Sequence, residues 1–473
     1  MRRIALLSLL LAGTLAGPAH AGPLKEECMG VEPRLGGPCR GAEVIATQVS
    51  ASCRYAGLLP EEQCATPVTP RVSKRLIREY EDSWLHRTLS FQYELAAPLP
   101  LVNAPWIGTH NSFNSASEPF TVSGMDSNQQ VSLTDQLRMD VRSLELDAHY
   151  VPGAGGGRTP VLCHGRGSGE LHAGCTTERP MAERIDEIAG WLERHPRQVL
   201  LLYVEDHLEG VEGHDAAARI LRDRLGSMIY APGGDGAACR EMPLDLSVAR
   251  VRRGGAQVIL LGSCGEGAQW RQLSFGDAER RANETGGDTA FGPYPSCDPA
   301  RSQAFYDQRF VRYFEDSTGL SAGTAFAAGE PPQEGLTPEK TAAMIRCGVD
   351  LFGFDQLLPD DGRLAALAWS WAPDEPRPGA GRCVVIGADA RFRAERCKDR
   401  HAFACRDAAG RWSVDTKVAR QKARTRKAAR RKARRSPCRG AAFAVPRRGV
   451  EAQRLADAME AAGVETAWVR LTT

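Results

Sequence analysis

The sequence predicts an α/β chain, a TIM-like (β/α)8 barrel set between a cysteine-stapled N-terminal extension and a small C-terminal α+β unit. Two observations carry this. Short apolar runs alternate with amphipathic helical stretches over about 250 residues, the texture of repeated strand-helix units. Polar residues suited to chemistry also gather where the strand-like runs end. An open doubly wound sheet remains the alternative, but no glycine-rich nucleotide loop follows the first strand.

Taken in order, Leu101 to Thr109 reads as the first strand, Val141 to Tyr150 as the second and Pro160 to Cys163 as a short third. Met181 to His195 has helical periodicity in Ile185, Ile188, Ala189 and Leu192, and Gln198 to Val204 is a continuous apolar run suited to a buried parallel strand. Asp215 to Met228 reads as a helix, with Ala256 to Leu261 and Phe310 to Phe314 as strands. Thr337-Pro338-Glu339 is a helix start, an N-cap followed by Pro and an acid in the first turn, and it leads to Cys347 and then to a strand from Val349 to Phe354.

Both ends differ from this middle. Arg2 and Arg3 precede an apolar run from Ile4 to Leu15, and Ala19-His20-Ala21 offers a small-residue cleavage pattern, so residues 1–21 read as a secretory signal. That run is too short to span a bilayer. The expected location is secreted, extracellular or periplasmic, and the fourteen cysteines fit disulfides in an oxidising compartment better than a zinc site. Residues 22–100 form the Cys/Pro-rich extension, where Cys28, Cys39, Cys53 and Cys64 could act as staples and one helix lies near Val72 to His86. Cys163 with Cys175 could close a short loop, and Cys383, Cys397, Cys405 and Cys438 group near the C-terminus.

The barrel is expected over residues 101–367. C-terminal segments 368–416 and 438–473 flank a basic stretch, 417–437. Between Lys417 and Arg435 eleven of nineteen residues are Lys or Arg and none is acidic, while the net charge of the whole chain is only +2. This run reads either as a solvated linker or as an arm drawn to anionic lipid or another polyanion. No base-reading motif accompanies it, and a nucleic-acid partner is not expected.

Six residues form the candidate site. His110 and Asn111 end the first strand, Glu145 and Asp147 share one face of the second, His164 follows the third, and Glu205 ends LLLYVEDH. A lone histidine after a strand is more often structural, but carboxyl ends of strands are where a barrel assembles its active site. Asn111, Glu145, Asp147 and Glu205 offer hard oxygens, the ligand set of Ca²⁺ or, second, Mg²⁺. Three clustered carboxylates repel one another unless a cation joins them, and two imidazoles beside it suit proton transfer around a phosphate. Arg309, Arg312, Glu315 and Asp316 either line the same mouth or form a strand-end salt bridge.

GTHNS, ELD, CHG and the Glu of YVED resemble, in order and spacing, the X region of phosphoinositide-specific phospholipases C. The resemblance runs from about Pro105 through Glu205. It implies that His110 stabilises the transition state, that His164 protonates the leaving group and that Glu145 is the base. It implies also that Asn111, Glu145, Asp147 and Glu205 hold Ca²⁺, because metal-free bacterial members carry Arg where Asp147 stands. The implied activity is a secreted phosphoric diester hydrolase acting on phospholipid at a membrane surface, cleaving the glycerol-phosphate bond of phosphatidylinositol-type lipids through a cyclic inositol phosphate. A phospholipase D-type (sphingomyelinase D-like) phosphodiesterase is the alternative enzyme, disfavoured by Asn111 and Glu205. A non-catalytic lipid- or glycan-binding protein on a barrel scaffold is the alternative of another class. The C-terminal residues WSWAPDEP, Cys383, Cys397 and FAC around Cys405 resemble C-type-lectin-like modules in an unusual order, with a glycan as implied partner and a structural cap as the plainer reading.

Overall fold

The computed structural model describes residues 72–117, 127–152, 157–164, 175, 178–276, 281–285, 291–298, 301–318, 335–420 and 437–473. The signal-like segment, the four N-terminal cysteines, His172 and residues 421–436 of the basic run lie outside them.

Among the described residues eight barrel strands run parallel in chain order. β1 (Gly108–Thr109) pairs with β2 (Ser143–Pro152); after β3 (Arg158–Leu162) the order continues through β4 (Leu200–His207), β5 (Val258–Gly262) and β6 (Ser274–Gly276). β7 (Arg281–Thr285), β8 (Phe310–Phe314) and β9 (Leu351–Gly353) form a second parallel set. Parallel bridges from Trp106 to Leu351 and from Thr109 to Phe354 join β9 back to β1. Among the described residues no pairing links β6 to β7, so the strands curl as a barrel that is not closed by hydrogen bonds at that seam. Gly108 makes the join at the other side possible, since a Cβ there would lie 2.2 Å from the Phe352 carbonyl oxygen.

Alternation along the strands separates two buried layers. Leu201, Ile259, Leu261, Phe275, Phe310 and Leu351 cluster with Trp106 inside the strands. Leu144, Leu146, Leu200, Leu202, Val204 and Leu260 pack outward, where Ile185, Ile188 and Leu192 of the helix Met181–Arg194 meet them.

Three sequence expectations change. Leu101 to Thr109 is not one strand: Leu101–Asn103 is a 3-10 turn and only Gly108–Thr109 is extended ladder, because Pro100 and Pro105 carry no N–H for a sheet. The helix expected from Val72 to His86 is two, Lys74–Glu81 and Trp84–Ala96; Asp82 ends the first, and Ser83 caps the next by accepting from the His86 N–H. The third strand is not a barrel strand. β3 runs antiparallel to β2, pairing Leu162 with Ala148 and Arg158 with Pro152, so it is the returning arm of a hairpin that rises above the rim. Sequence reading also missed β6 and β7, which are short and lack an apolar run.

The helix expected from Thr337 is present as Pro338–Cys347, with the Thr337 side chain accepting from the Lys340 N–H. The C-terminal unit is a six-stranded sheet. Its path runs β11 (Phe392–Glu395), β10 (Cys383–Gly387), β15 (Thr466–Thr472), β12 (Arg400–Arg406) and β13 (Trp412–Arg420), with β14 (Ala442–Phe443) on β12. Disulfides Cys383–Cys397 and Cys405–Cys438 staple it. Glu375 is buried and engaged internally, by Arg377 and by the Ala394 N–H. β13 extends past Lys417, where the sequence places the start of the basic stretch. The unit seats on the amino end of the barrel through Arg448, whose guanidinium bonds Asp350 just before β9.

Candidate active site

β2 and β4 lie in a register that sets Asp147 beside Glu205 and Glu145 beside Tyr203, all on the inward face. Strand geometry therefore crowds three acids: one carboxylate oxygen each from Glu145, Asp147 and Glu205 falls within 4.8 Å of the others. Glu145 and Asp147 are buried, while Glu205 is half-exposed and bonded at 3.0 Å to His207. Burial, and then the charges of Glu205 and Glu145, push the Asp147 carboxyl well above its ordinary range.

The segment after β1 is stitched onto β2 at Glu145. The Ser112 N–H donates to the Glu145 carbonyl at 3.0 Å, the Ser112 hydroxyl accepts from the Glu145 N–H at 2.9 Å, and the Asn111 N–H donates to Glu145 Oε2 at 3.0 Å. Asn111 adopts a left-handed backbone, φ 43°, which asparagine tolerates better than most residues. Its side-chain amide lies 2.7 Å from the Asp147 carboxylate, oriented so that its nitrogen donates.

His110 stands between two carboxylates. Nδ1 is 3.3 Å from Asp355 Oδ1 and Nε2 is 3.7 Å from Glu145 Oε2, and the ring packs against Phe314. Burial alone would lower this imidazole, but Glu145 and Asp355 outweigh it and hold His110 up at about 9. Both carboxylates favour the protonated form of its ring. Asp355 is itself held by the Ser317 N–H and hydroxyl and by the Asn128 amide.

His164 reaches the site by the hairpin. The Cys163 N–H donates to the Asp147 carbonyl, and the disulfide Cys163–Cys175 anchors the returning strand. His164 Nδ1 then lies 3.3 Å from the Asn114 amide, which bonds Asn128 at 2.5 Å, and Asn128 contacts His110. Asn114 and Asn128 thus bridge the two imidazoles.

Arg312 enters from β8, across the barrel. Its two terminal nitrogens meet the two Glu145 oxygens at 2.5 Å each, and its guanidinium lies near the Tyr203 and Phe314 rings. Burial by itself would raise the Glu145 carboxyl, but Arg312 first and His110 second hold it well below the carboxylate range. Of the other residues weighed with Arg312, Arg309 lies over the Phe305 ring, Glu315 pairs with Arg363, and Asp316 accepts from Thr318.

The structure thus brings His110, Asn111, Glu145, Asp147 and Glu205 to one rim and ties His164 to it. Sequence reasoning missed Asp355, although an acid directly after the strand expected at Val349 to Phe354 is the same signal that marked Glu205. Asn114 and Asn128 lie in loops and carried no pattern. The donor set fits a hard divalent cation: three acids whose mutual repulsion a cation relieves, with an amide oxygen available once Asn111 turns. Five disulfides occur among the described residues, and no described helix is long and apolar enough to cross a membrane.

Comparison with known proteins follows this geometry. Residues 65–361 match the family described as the Rv2075c PI-PLC-like domain. Uncharacterised proteins of two Mycobacterium tuberculosis strains, CDC 1551 / Oshkosh and H37Rv, are each 45% identical over 390 residues, covering 80% of this chain and 79% of theirs. Among solved structures, the phosphatidylinositol-specific phospholipase C of Listeria monocytogenes is 13% identical, covers 59% of this chain and 98% of its own, and has a TM-score of 0.38. A calcium-dependent phosphoinositol-specific phospholipase C from Pseudomonas sp is 14% identical over 57% of this chain and 93% of its own, with a TM-score of 0.29. By the extent of the family match and of the mycobacterial identity, the chain belongs to the Rv2075c PI-PLC-like domain family.

Proposed function

We propose that this protein is a secreted phosphodiesterase of C type, cleaving the glycerol-phosphate bond of phosphatidylinositol-type lipids. The observation that carries the reading is the placement of His110 between Asp355 and Glu145, at the edge of the Glu145–Asp147–Glu205 cluster. Family membership supports the reaction class, and five disulfides support an oxidising compartment.

In this reading a cation, Ca²⁺ before Mg²⁺, is held by Asn111, Glu145, Asp147 and Glu205 and supplies charge to offset the phosphate. The chain's own residues do the rest. A substrate phosphate can also pair bidentately with the Arg312 guanidinium, and in this reading it competes with Glu145 for it. Glu145, freed of Arg312, accepts the proton of the inositol 2-hydroxyl as its oxygen attacks phosphorus. His110 donates to a phosphate oxygen where charge develops. The bond from phosphorus to the glycerol oxygen breaks, and His164 protonates that oxygen. The products are a 1,2-cyclic inositol phosphate and diacylglycerol.

The basic run from Lys417 to Arg435 is proposed to draw the protein toward anionic lipid, and the lectin-like C-terminal unit to serve first as a cap on the barrel. The test is incubation with a panel of phospholipids, with and without chelator, followed by product identification. Diacylglycerol and cyclic inositol phosphate are expected from the native protein and not from His110→Ala or His164→Ala. Release of a free head-group alcohol with phosphatidate would establish D-type cleavage instead.

A further inference from the structure

Asp355 orients His110, yet nothing in its own position is relaxed. It lies two residues beyond β9 and precedes Gln356, a non-glycine residue in the left-handed region at φ 52°. Such a conformation is strained for a non-glycine residue and persists only where surroundings impose it. Gln356 is held by Asn128, Ser127 and Gln130, and the Asp355 backbone by one ion pair. The Asp355 N–H donates to Glu315 Oε2 at 2.8 Å, and the Asp355 carbonyl accepts from Arg363 Nη2 at 2.9 Å. Glu315 and Arg363 are bonded to each other, so both sides of the residue that aims His110 are held by two halves of a single pair.

Each half is fixed in turn. Glu315 is buried, follows β8, and gives its own N–H to the Gly353 carbonyl. Its second oxygen accepts from the Leu336 N–H. Arg363 is bound also by Asp361 and lies over the Phe354 ring at 5.3 Å. Neither side chain bonds His110, Glu145, Asp147 or Glu205. Buried ion pairs are often replaceable by apolar residues without loss of stability, so stability alone is a weak reason for this one. Its geometry supplies a better one.

We propose that Glu315 and Arg363 are positioning residues: their ion pair grips the Asp355 peptide from both sides and so sets the aim of the His110 imidazole. The proposal rests on the functional reading above, in which His110 faces the phosphate. An error of about 1 Å in such a group can cost on the order of 100-fold in rate.

The experiment is steady-state kinetics on phosphatidylinositol vesicles for Glu315→Ala, Glu315→Gln, Asp355→Asn and the double variants, with thermal melts alongside. Glu315→Ala is expected to lower kcat by roughly 10- to 100-fold with KM within about twofold. Glu315→Gln is expected to recover most of that loss, because its side-chain oxygen still accepts the Asp355 N–H. On an Asp355→Asn background either Glu315 change should add little, since the path to His110 is already cut. Unchanged kcat in both Glu315 variants, a pure KM effect, or fully additive losses would overturn the proposal. Should Glu315→Ala not fold, Arg363→Gln, alone and with Asp355→Asn, carries the same comparison: a kcat loss absent on the Asp355→Asn background supports the clamp, and an unchanged kcat overturns it. His110→Ala separates the two claims: if it stays active, the functional reading fails, whereas an inactive His110→Ala beside fully active Glu315 variants defeats the clamp alone.

Discussion

Arg312 and Glu145 meet end to end across the barrel, two guanidinium nitrogens on two carboxylate oxygens at 2.5 Å, both side chains buried. The pair couples opposite walls, β8 and β2, at the height of the candidate chemistry. It also occupies the carboxylate that the sequence casts as metal ligand and base.

Removing one partner should therefore cost far more than removing both. Arg312→Met is expected to lower stability by about 3–5 kcal/mol, because an uncompensated carboxylate stays buried. Adding Glu145→Gln should restore most of that loss in urea unfolding but no hydrolysis. A single Arg312→Met variant with native stability would show that the pair is not formed in solution.

The acid cluster makes a prediction about cations. Calorimetric titration with Ca²⁺ should show binding that is weakened roughly tenfold or more in Asp147→Asn, which removes a charge from the ligand set. Glu205→Gln should weaken it as well, and Mg²⁺ should bind less tightly than Ca²⁺. Equal affinity in native and Asp147→Asn protein would place any bound ion elsewhere.

His164 depends on a covalent anchor. The Cys163–Cys175 disulfide closes a short loop of separation 12, and such closure contributes about 3 kcal/mol in the loop-entropy account. The double change Cys163→Ala, Cys175→Ala should lower the unfolding midpoint accordingly. It should also depress kcat, because the Cys163 N–H holds this strand to Asp147. Full turnover in the double variant would mean that the hairpin ladder alone positions His164.

His86 provides a pH test away from the site. Its Nδ1 is 2.8 Å from Asp140, and that hydrogen bond raises the imidazole above its ordinary value. A histidine whose folded value is raised adds stability that is fully present below its unfolded value and fades as pH rises through the folded one. The stability gap between native protein and His86→Gln should thus be about 1 kcal/mol in mild acid and close above neutrality. A gap that widens with pH would reverse the assignment.

Strand-to-strand logic carried most of what could be read in advance. Phe310–Phe314 and the Thr337-capped helix are where the apolar pattern and the cap place them. Glu145 and Asp147 share a face because strand periodicity leaves no other option. His164 was found for an incomplete reason: an antiparallel return delivers it, and nothing in Pro160 to Cys163 distinguishes that from a barrel strand. Asn128 was not legible, since its partners His110 and Asp355 stand 18 and 227 residues away and only tertiary folding introduces them. Arg312 could be placed at the mouth but not paired, because its partner lies 167 residues earlier.

The separation between His110 and Asp355, 245 residues, has a consequence for timing. A chain emerging from its N-terminus displays His110, Asn111, Glu145 and Asp147 early, with Arg312 and Asp355 still unmade. Only when β9 docks beside β1 do these groups meet. The full constellation therefore exists only once the chain through Asp355 is folded, and a chain cut short before Asp355 is expected to lack the proposed phosphodiesterase activity.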